Sequence, residues 1–345
     1  MMKKKKFLAM AVILCMGVPF LSGCGMKQET PSNKLHIGIT YYNQSDTFLN
    51  ELIAHFKEQV EVLGGDALET TVTIKDAAGS QRTQNDQVKE LIDAGCNVLC
   101  VNLVDRSDPS DIIDMGKDYE VPIIFFNREP VAEDLMQWEG LYYVGADAQQ
   151  SGILQGELVA EMIQAGTNID KNKDGKIQYV VLEGEAGHQD TIIRTENAVN
   201  TLKNYGIELE KLSYQIANWN RPQAQNRMEQ MIAQYHSEIE LVLANNDDMA
   251  LGAIDAYEKL NVTESAFPIF LGIDGTDVGL KAVVDGRLAG TVYNDKEGQA
   301  EAMAKLAVAL VADQDMSELS FENNKCIYLP YSKITVDNVG EFLRK

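Results

Sequence analysis

Basic residues are in short supply in this chain. Lys and Arg number 30 against 52 Asp and Glu, a formal net charge of −22 at pH 7. That balance excludes a nucleic-acid partner, because no basic footprint remains to neutralise phosphates. Histidine is rarer still: four in 345 residues, none at H-x-x-H spacing, which removes a common zinc pattern. There is no G-x-x-x-x-G-K-[ST] loop for a nucleotide phosphate and no G-x-S-x-G elbow for a serine nucleophile. Cysteine is sparse as well. Cys15 and Cys24 lie near the N-terminus, and only Cys96, Cys100 and Cys326 follow. A C-x3-C pair without histidines is not a zinc site, and these three read as small core residues rather than disulfide partners. Beyond Cys24 no apolar run is long enough to cross a bilayer.

What is present begins with a targeting segment. Lys3 to Lys6 form a positive start, and Phe7 to Leu21 a short apolar stretch interrupted by Gly17 and Pro19. It ends in Leu21-Ser22-Gly23-Cys24, which looks like a bacterial lipobox with cleavage before Cys24. Residues 1–23 are therefore expected to be a lipoprotein signal peptide, with Cys24 the acylated first residue of the mature chain. Residues 24–34, polar and containing Pro31, read as a tether.

Apolar runs and helical periods then alternate. Leu35 to Tyr41 reads as a strand, Phe48 to Leu63 as a helix, Thr71 to Lys75 as a strand and Gln84 to Ala94 as a helix. Val98 to Leu103 and Pro122 to Phe126 are further strands, with a helix over Ile112 to Tyr119 between them. The pattern restarts with Leu141 to Val144 and a helix over Gly152 to Gln164. Strands follow at Ile177 to Leu182, Glu208 to Gln215, Leu241 to Ala244 and Ile269 to Ile273. Leu288 to Tyr293 is a strand, Glu297 to Ala312 a helix and Lys325 to Leu329 the last strand. This predicts an α/β protein of two doubly wound parallel-sheet lobes joined at more than one point. Two such lobes facing each other make a cleft at the carboxyl ends of their strands, and a hinge can close it.

Polar and aromatic residues gather at those strand ends. Asp46 and Phe48 follow the first strand, Asn127 and Arg128 follow Phe126, and His188, Asp190 and Arg194 come after Leu182. Trp219, Asn246 with Asp247, Asp274 and Asn294 each follow a later strand. Any one Asp or Asn here is equally explained as a helix N-cap. Taken together, the carboxylates, amides, guanidinium, imidazole and rings suit an uncharged polyol. Hydroxyls donate and accept at once, and aromatic faces cover the C–H faces of a pyranose. A carboxyl pair drawn from Asp46, Asp190 and Asp274 could instead hydrolyse a glycoside, given one raised pKa.

The segment from Asp170 to Gln178 carries a sharper signal. Asp170, Asn172, Asp174 and Gln178 put oxygen-bearing side chains at positions 1, 3, 5 and 9 of an EF-hand loop, and Gly175 stands at position 6. Lys176 at position 7 would act through its carbonyl. Position 12 is Val181 rather than Glu. Either the loop is a polar turn without metal, or the last carboxylate arrives from elsewhere in the chain.

With these positions in view, the chain resembles the type I periplasmic sugar-binding family, in its galactose/glucose-binding branch. The likeness runs from Leu35 to the last residues. It includes Asn102-Leu103-Val104-Asp105, Phe125-Phe126-Asn127-Arg128-Glu129-Pro130, Gly184-Glu185-Ala186-Gly187-His188, Ala244-Asn245-Asn246-Asp247 and Gly290-Thr291-Val292-Tyr293-Asn294-Asp295. The resemblance implies lobes of residues 35–145 plus 294–328 and 146–293 plus 329–345, hinged near Gly145, Asn294 and Leu329. It implies a sugar sandwiched between Phe48 and Trp219, with Asp46 at the hydroxyl that distinguishes glucose from galactose. Asn127, His188, Asp190, Arg194, Asn246, Asp274 and Asn294 would supply the remaining hydrogen bonds. It also implies a structural Ca2+ held by Asp170, Asn172, Asp174, Lys176, Gln178 and a distant carboxylate, Glu240.

Such a protein is a monomeric receptor rather than an enzyme, tethered outside the cytoplasm by its lipid. It passes D-glucose or D-galactose to the membrane subunits of an ABC importer and can also present it to a chemoreceptor or sensor kinase. Ribose or xylose is the alternative cargo. Gln189 and Asn43-Gln44-Ser45 depart from the family's pattern at the cleft rim. The lipobox departs from its freely soluble form.

Overall fold

The computed structural model describes residues 34–65, 68–312 and 314–343. The signal segment, Cys24 and the tether up to residue 33 lie outside the described residues. Strand β1 (Lys34–Tyr41) is followed by α1 (Thr47–Gly64), β2 (Glu69–Asp76), α2 (Gln81–Asp93), β3 (Val98–Val101) and α3 (Ser110–Asp118). Next come β4 (Ile123–Phe126), the short α4 (Ala132–Leu135), β5 (Leu141–Ala146) and α5 (Ala148–Gln164). β6 (Ile177–Glu183), α6 (Gln189–Asn204), β7 (Leu209–Ile216), α7 (Arg221–Tyr235), β8 (Leu241–Ala244) and α8 (Asp247–Lys259) follow. The chain closes with β9 (Ile269–Leu271), α9 (Asp277–Val284), β10 (Thr291–Asn294), α10 (Lys296–Ala312), β11 (Cys326–Leu329) and β12 (Tyr331–Ile334).

Two parallel sheets result, as expected. One has the order β11-β5-β4-β3-β1-β2 and the other β7-β6-β8-β9. β10 extends the second through parallel bridges from Leu271 to Gly290 and from Asp274 to Tyr293, and pairs antiparallel with β12. Both sheets are wound alike, with the second strand of the lobe outside the first and the third on its other side. Each therefore opens a crevice at its switch point, β1/β3 in one lobe and β6/β8 in the other.

Strands buried on both faces read as unbroken apolar runs. In β3, Val98 and Cys100 face the cluster under α1 and α10, while Leu99 and Val101 face the opposite cluster with Val88, Leu91 and Ile112. Helix α1 turns Phe48, Leu52, Phe56 and Val60 inward at a spacing of four, and Asp46 caps it by accepting from Leu49 N. Cys96, Cys100 and Cys326 are buried free thiols.

Three differences from the sequence reading are local. The helix expected from Gly152 starts at Ala148, because the Asp147 carboxylate accepts from Gln149 N at 2.8 Å and nucleates an extra turn. The strand expected from Leu288 begins at Thr291. β12 is an addition: four residues with two polar side chains, just after Pro330, give too little pattern to read, yet they pair with β10 throughout.

The chain passes between the sheets after β5, after β10 and after β11. Helix α10 packs on α1, and α5 packs on α6. The second contact is unusually close. A Cβ on Gly152 or Gly156 would stand 2.7 Å from the Arg194 or Ala198 carbonyl oxygen, so this pair of glycines fixes how near α6 lies.

Candidate ligand-binding cleft

From the first lobe, Tyr42, Asp46, Phe48, Asn127 and Arg128 line one side of a cavity between the sheets. Asp46 is doubly held: Oδ1 accepts from Leu49 N at 2.9 Å and Oδ2 from the Tyr42 hydroxyl at 2.7 Å. Asn127 adopts φ +59°, and its side-chain oxygen accepts from Asn102 Nδ2 at 3.0 Å. Phe48 is buried at the start of α1.

The second lobe contributes His188, Asp190, Arg194, Trp219, Asn246 and Asp274. Arg194 organises them. Its Nη1 donates to the Asn245 carbonyl at 2.8 Å and Nη2 to the Tyr331 hydroxyl at 3.1 Å. The same group lies 3.4 Å from Asp190 and 3.6 Å from Asp274. Burial opposes its charge, but Tyr331, Asp190 and Asp274 outweigh that and raise its pKa. Arg194 Nε is buried with no acceptor among the described residues. Asp274, at φ +115°, is raised well above the usual carboxylate range by burial, with Arg194 pulling it partly back.

His188 is neutral. Burial pushes its imidazole down to about 4. Its Nδ1 accepts from Asp190 N at 3.1 Å, so the proton sits on Nε2. Trp219 stands at φ +60° after Asn218 at φ +52°. Gly184 allows this: a Cβ there would come within 2.0 Å of the indole. Asn246 Oδ1 caps α8 by accepting from Met249 N at 2.9 Å, and its Nδ2 donates to the Trp219 carbonyl at 3.4 Å. Trp219 packs against its own lobe and against the apolar cluster of the other lobe that contains Phe48.

Nine of the ten residues expected at the cleft line this one cavity. Asn294 does not: it lies next to Asp274 through a backbone bond, buried, with its side-chain oxygen accepting from Gln299 Nε2 at 2.6 Å. Tyr42 and Arg128 line the cavity too. Arg128 stands among the strand-end candidates without a sugar-contact role, and Tyr42 is not singled out by the sequence. The signal for both was position, since Tyr42 directly follows β1 and Arg128 follows Asn127. Gln189 lines a neighbouring cavity with Glu129, Asp147 and Tyr328 instead.

The lobes touch on both sides of the cleft. Arg128 pairs with Glu185. Thr47 Oγ1 donates to Asp248 Oδ2 at 2.6 Å. Buried Lys296 bonds to Glu51 and, at 2.9 Å, to Asp277.

Far along the second lobe, the 170–178 loop folds around its own oxygens. Asp170 Oδ1 accepts from Lys173 N at 2.7 Å and Oδ2 from Gly175 N at 3.0 Å. Asp174 Oδ1 accepts from Lys176 N at 2.9 Å, and Gln178 Nε2 donates to Asp174 Oδ2 at 2.8 Å. Asn172 Nδ2 donates to Gln178 Oε1 at 3.0 Å. Glu240, almost wholly buried beside β8, reaches the same turn: it accepts from Lys171 N at 2.6 Å, Asn172 N at 3.1 Å and Gln178 N at 3.2 Å. The oxygens of Asp170, Asn172, Asp174, Gln178 and Glu240 thus share one turn, a hard donor set of the kind calcium takes. No group of three or more His, Cys, Asp or Glu among the described residues is gathered as a metal cluster.

Two matched α/β lobes enclosing rings and paired polar groups are the architecture of a solute-binding protein that closes on its guest. The family described as periplasmic binding protein domain matches residues 37–315, and the chain belongs to it. Over 330 residues the chain is 35% identical to the D-galactose/methyl-galactoside binding periplasmic protein of Haemophilus influenzae, covering 95% of this chain and 97% of that one. It is 26% identical over 314 residues to the ribose import binding protein of Bacillus subtilis, covering 88% and 92%. Among solved structures, an ABC transporter solute binding protein from Bacillus halodurans with bound myo-inositol superposes with a TM-score of 0.75 at 29% identity, covering 91% of this chain and 99% of that one. No helix among the described residues is long and apolar enough to cross a membrane.

Proposed function

We propose that this protein is an extracytoplasmic receptor that closes on one neutral hexose, D-galactose or D-glucose, and delivers it to the membrane subunits of an ABC importer. The observation that carries the reading is that Phe48 and Trp219, from opposite lobes, line a single cavity edged by Asp46, Asn127, His188, Asp190, Arg194, Asn246 and Asp274. Rings supply apolar faces for the C–H surfaces, and the edge groups offer donors and acceptors to the hydroxyls. The Haemophilus relative's name supports galactose. Asp274 has the raised pKa that a glycosidase acid needs, but it sits against Arg194, which suits a fixed hydrogen bond better than proton transfer.

The lobes, residues 35–145 plus 294–328 and 146–293 plus 329–345, open about the three crossings. Contacts made to both lobes at once are what favours closure. The lipobox at Cys24 tethers the receptor to the cell surface, and a chemoreceptor or sensor kinase is a second partner for the closed form. Calorimetric titration of the mature protein with galactose, glucose, ribose, xylose and myo-inositol tests the ligand. Tightest binding to a hexose is expected; a response to a pentose or the cyclitol alone overturns the assignment.

The loop at Asp170, Asn172, Asp174, Lys176 and Gln178, with Glu240, is proposed to hold a structural Ca2+. The ion would tie the turn to β8 far from the sugar. Chelator should lower the melting temperature and added calcium restore it; a melting curve indifferent to both removes the metal.

A further inference from the structure

We propose that Arg128 and Glu185 form a latch across the cleft that sets how long the ligand stays; this rests on the receptor reading above. Arg128 follows β4 in one lobe. Glu185 lies in the β6–α6 loop of the other, 57 residues away, and accepts from Arg128 Nη2 at 3.0 Å.

Among the described residues the guanidinium makes two side-chain hydrogen bonds and one ring contact. Of these three only the bond to Glu185 crosses to the opposite lobe, where His188 also lies near enough to feel its charge. Nη1 donates to the Val104 carbonyl at 2.9 Å, and the group lies over the Tyr42 ring, 3.7 Å from its centre. Both neighbours travel with Arg128 when the lobes part. Arg128 is therefore held ready in the open state, and the bond to Glu185 is the one that closure makes. A contact present in one state and absent in the other shifts the equilibrium; the two internal ones do not. In this structure, with the lobes in contact, the Arg128 side chain is 5% exposed while the Glu185 side chain keeps 32%. A buried guanidinium deprived of its carboxylate penalises the closed state alone.

The pair also reaches the ligand's neighbours. Tyr42, beneath the guanidinium, donates to Asp46, and His188 N donates to the Glu185 carbonyl at 3.2 Å. Glu185 thus anchors the loop that carries His188 to the first lobe. It is a positioning residue, whereas Arg128 itself lines the cavity.

Stopped-flow Trp219 fluorescence with galactose and glucose tests this in wild type, Glu185→Gln, Glu185→Ala, Arg128→Met and the double variant Arg128→Met/Glu185→Ala. Dissociation should quicken roughly tenfold in either Glu185 variant, with association changed less than about twofold. The Glu185→Ala effect should nearly vanish in the Arg128→Met background. Added salt should speed dissociation of the wild type but not of Glu185→Gln, which a purely structural role would not produce. Wild-type dissociation in both Glu185 variants, or an undiminished loss without Arg128, overturns the latch alone. A wild type that answers no hexose overturns the receptor reading and the latch with it.

Discussion

Asp174 and Asp274 are both carboxylates in the second lobe, and their surroundings drive them in opposite directions. Asp174, exposed in the 170–178 loop, is lowered by hydrogen bonds led by Lys176 N. Asp274, in the cleft, is raised by burial, with Arg194 opposing. In the loop, main-chain N–H groups from the next few residues satisfy the acid. In the cleft, the countercharge is a side chain on α6, and Arg194 Nε remains without a partner among the described residues. The loop's acid is satisfied mostly by its own turn, with Glu240 a distant support of that turn, whereas Asp274 in the cleft depends on a side chain from a separate element.

The sharpest way to break this contrast is to remove the cleft's countercharge. Arg194→Met leaves Asp274 and Asp190 without their cation and should cost about 3–5 kcal/mol in urea unfolding as well as sugar binding; unchanged stability would mean the pair is not buried as described. Trp219→Ala comes next. It should weaken hexose binding by about 2–3 kcal/mol in calorimetry while leaving the loop intact.

On the other side of the comparison, Glu240→Gln strips charge from an acceptor of three N–H groups. It should lower stability by about 1–3 kcal/mol with sugar affinity nearly unchanged. A matching loss of affinity would show that loop and cleft are coupled.

The smallest effects are pH slopes, of at most about 1.4 kcal/mol per pH unit. Burial pushes Asp247 up from 3.8 to about 7. The native chain then keeps a proton that the unfolded chain has lost, so stability from this group falls as pH rises between these values. His188 is pushed down from 6.5 to about 4, so the unfolded chain takes up a proton that the native one refuses. Its contribution falls as pH drops through that window. Urea midpoints against pH for Asp247→Asn and His188→Gln should lose these opposite slopes.

Much of the cleft was legible because several lining residues follow apolar runs that read as buried strands, although Trp219 follows the half-exposed β7 and Arg194 lies within α6. Asp46 after β1, Asn127 after β4 and Asn246 after β8 sit where a doubly wound sheet must present them. Asn294 shows the limit of that rule. It too ends a strand, but Gln299, one turn into α10, occupies its side-chain oxygen. Arg128 was visible at a strand end, yet nothing local distinguishes a guanidinium stacked on Tyr42 from a solvated one. β12 escaped notice because its pairing partner, β10, carries the information.

Alternation of apolar runs and helical periods by itself determined the two parallel sheets and where their carboxyl ends lie, since both follow from burying backbone polar groups in order along the chain. The turn at 170–178 was legible in part, because the bonds among its own residues are local, whereas its bonds to Glu240 cross 62 to 69 residues. Only the tertiary structure decided which strand-end residues meet across the cleft, which carboxylates share Arg194, and that Glu185 reaches Arg128. Those outcomes depend on how closely α5 lets α6 approach and on the distance between lobes, which no short stretch of sequence encodes.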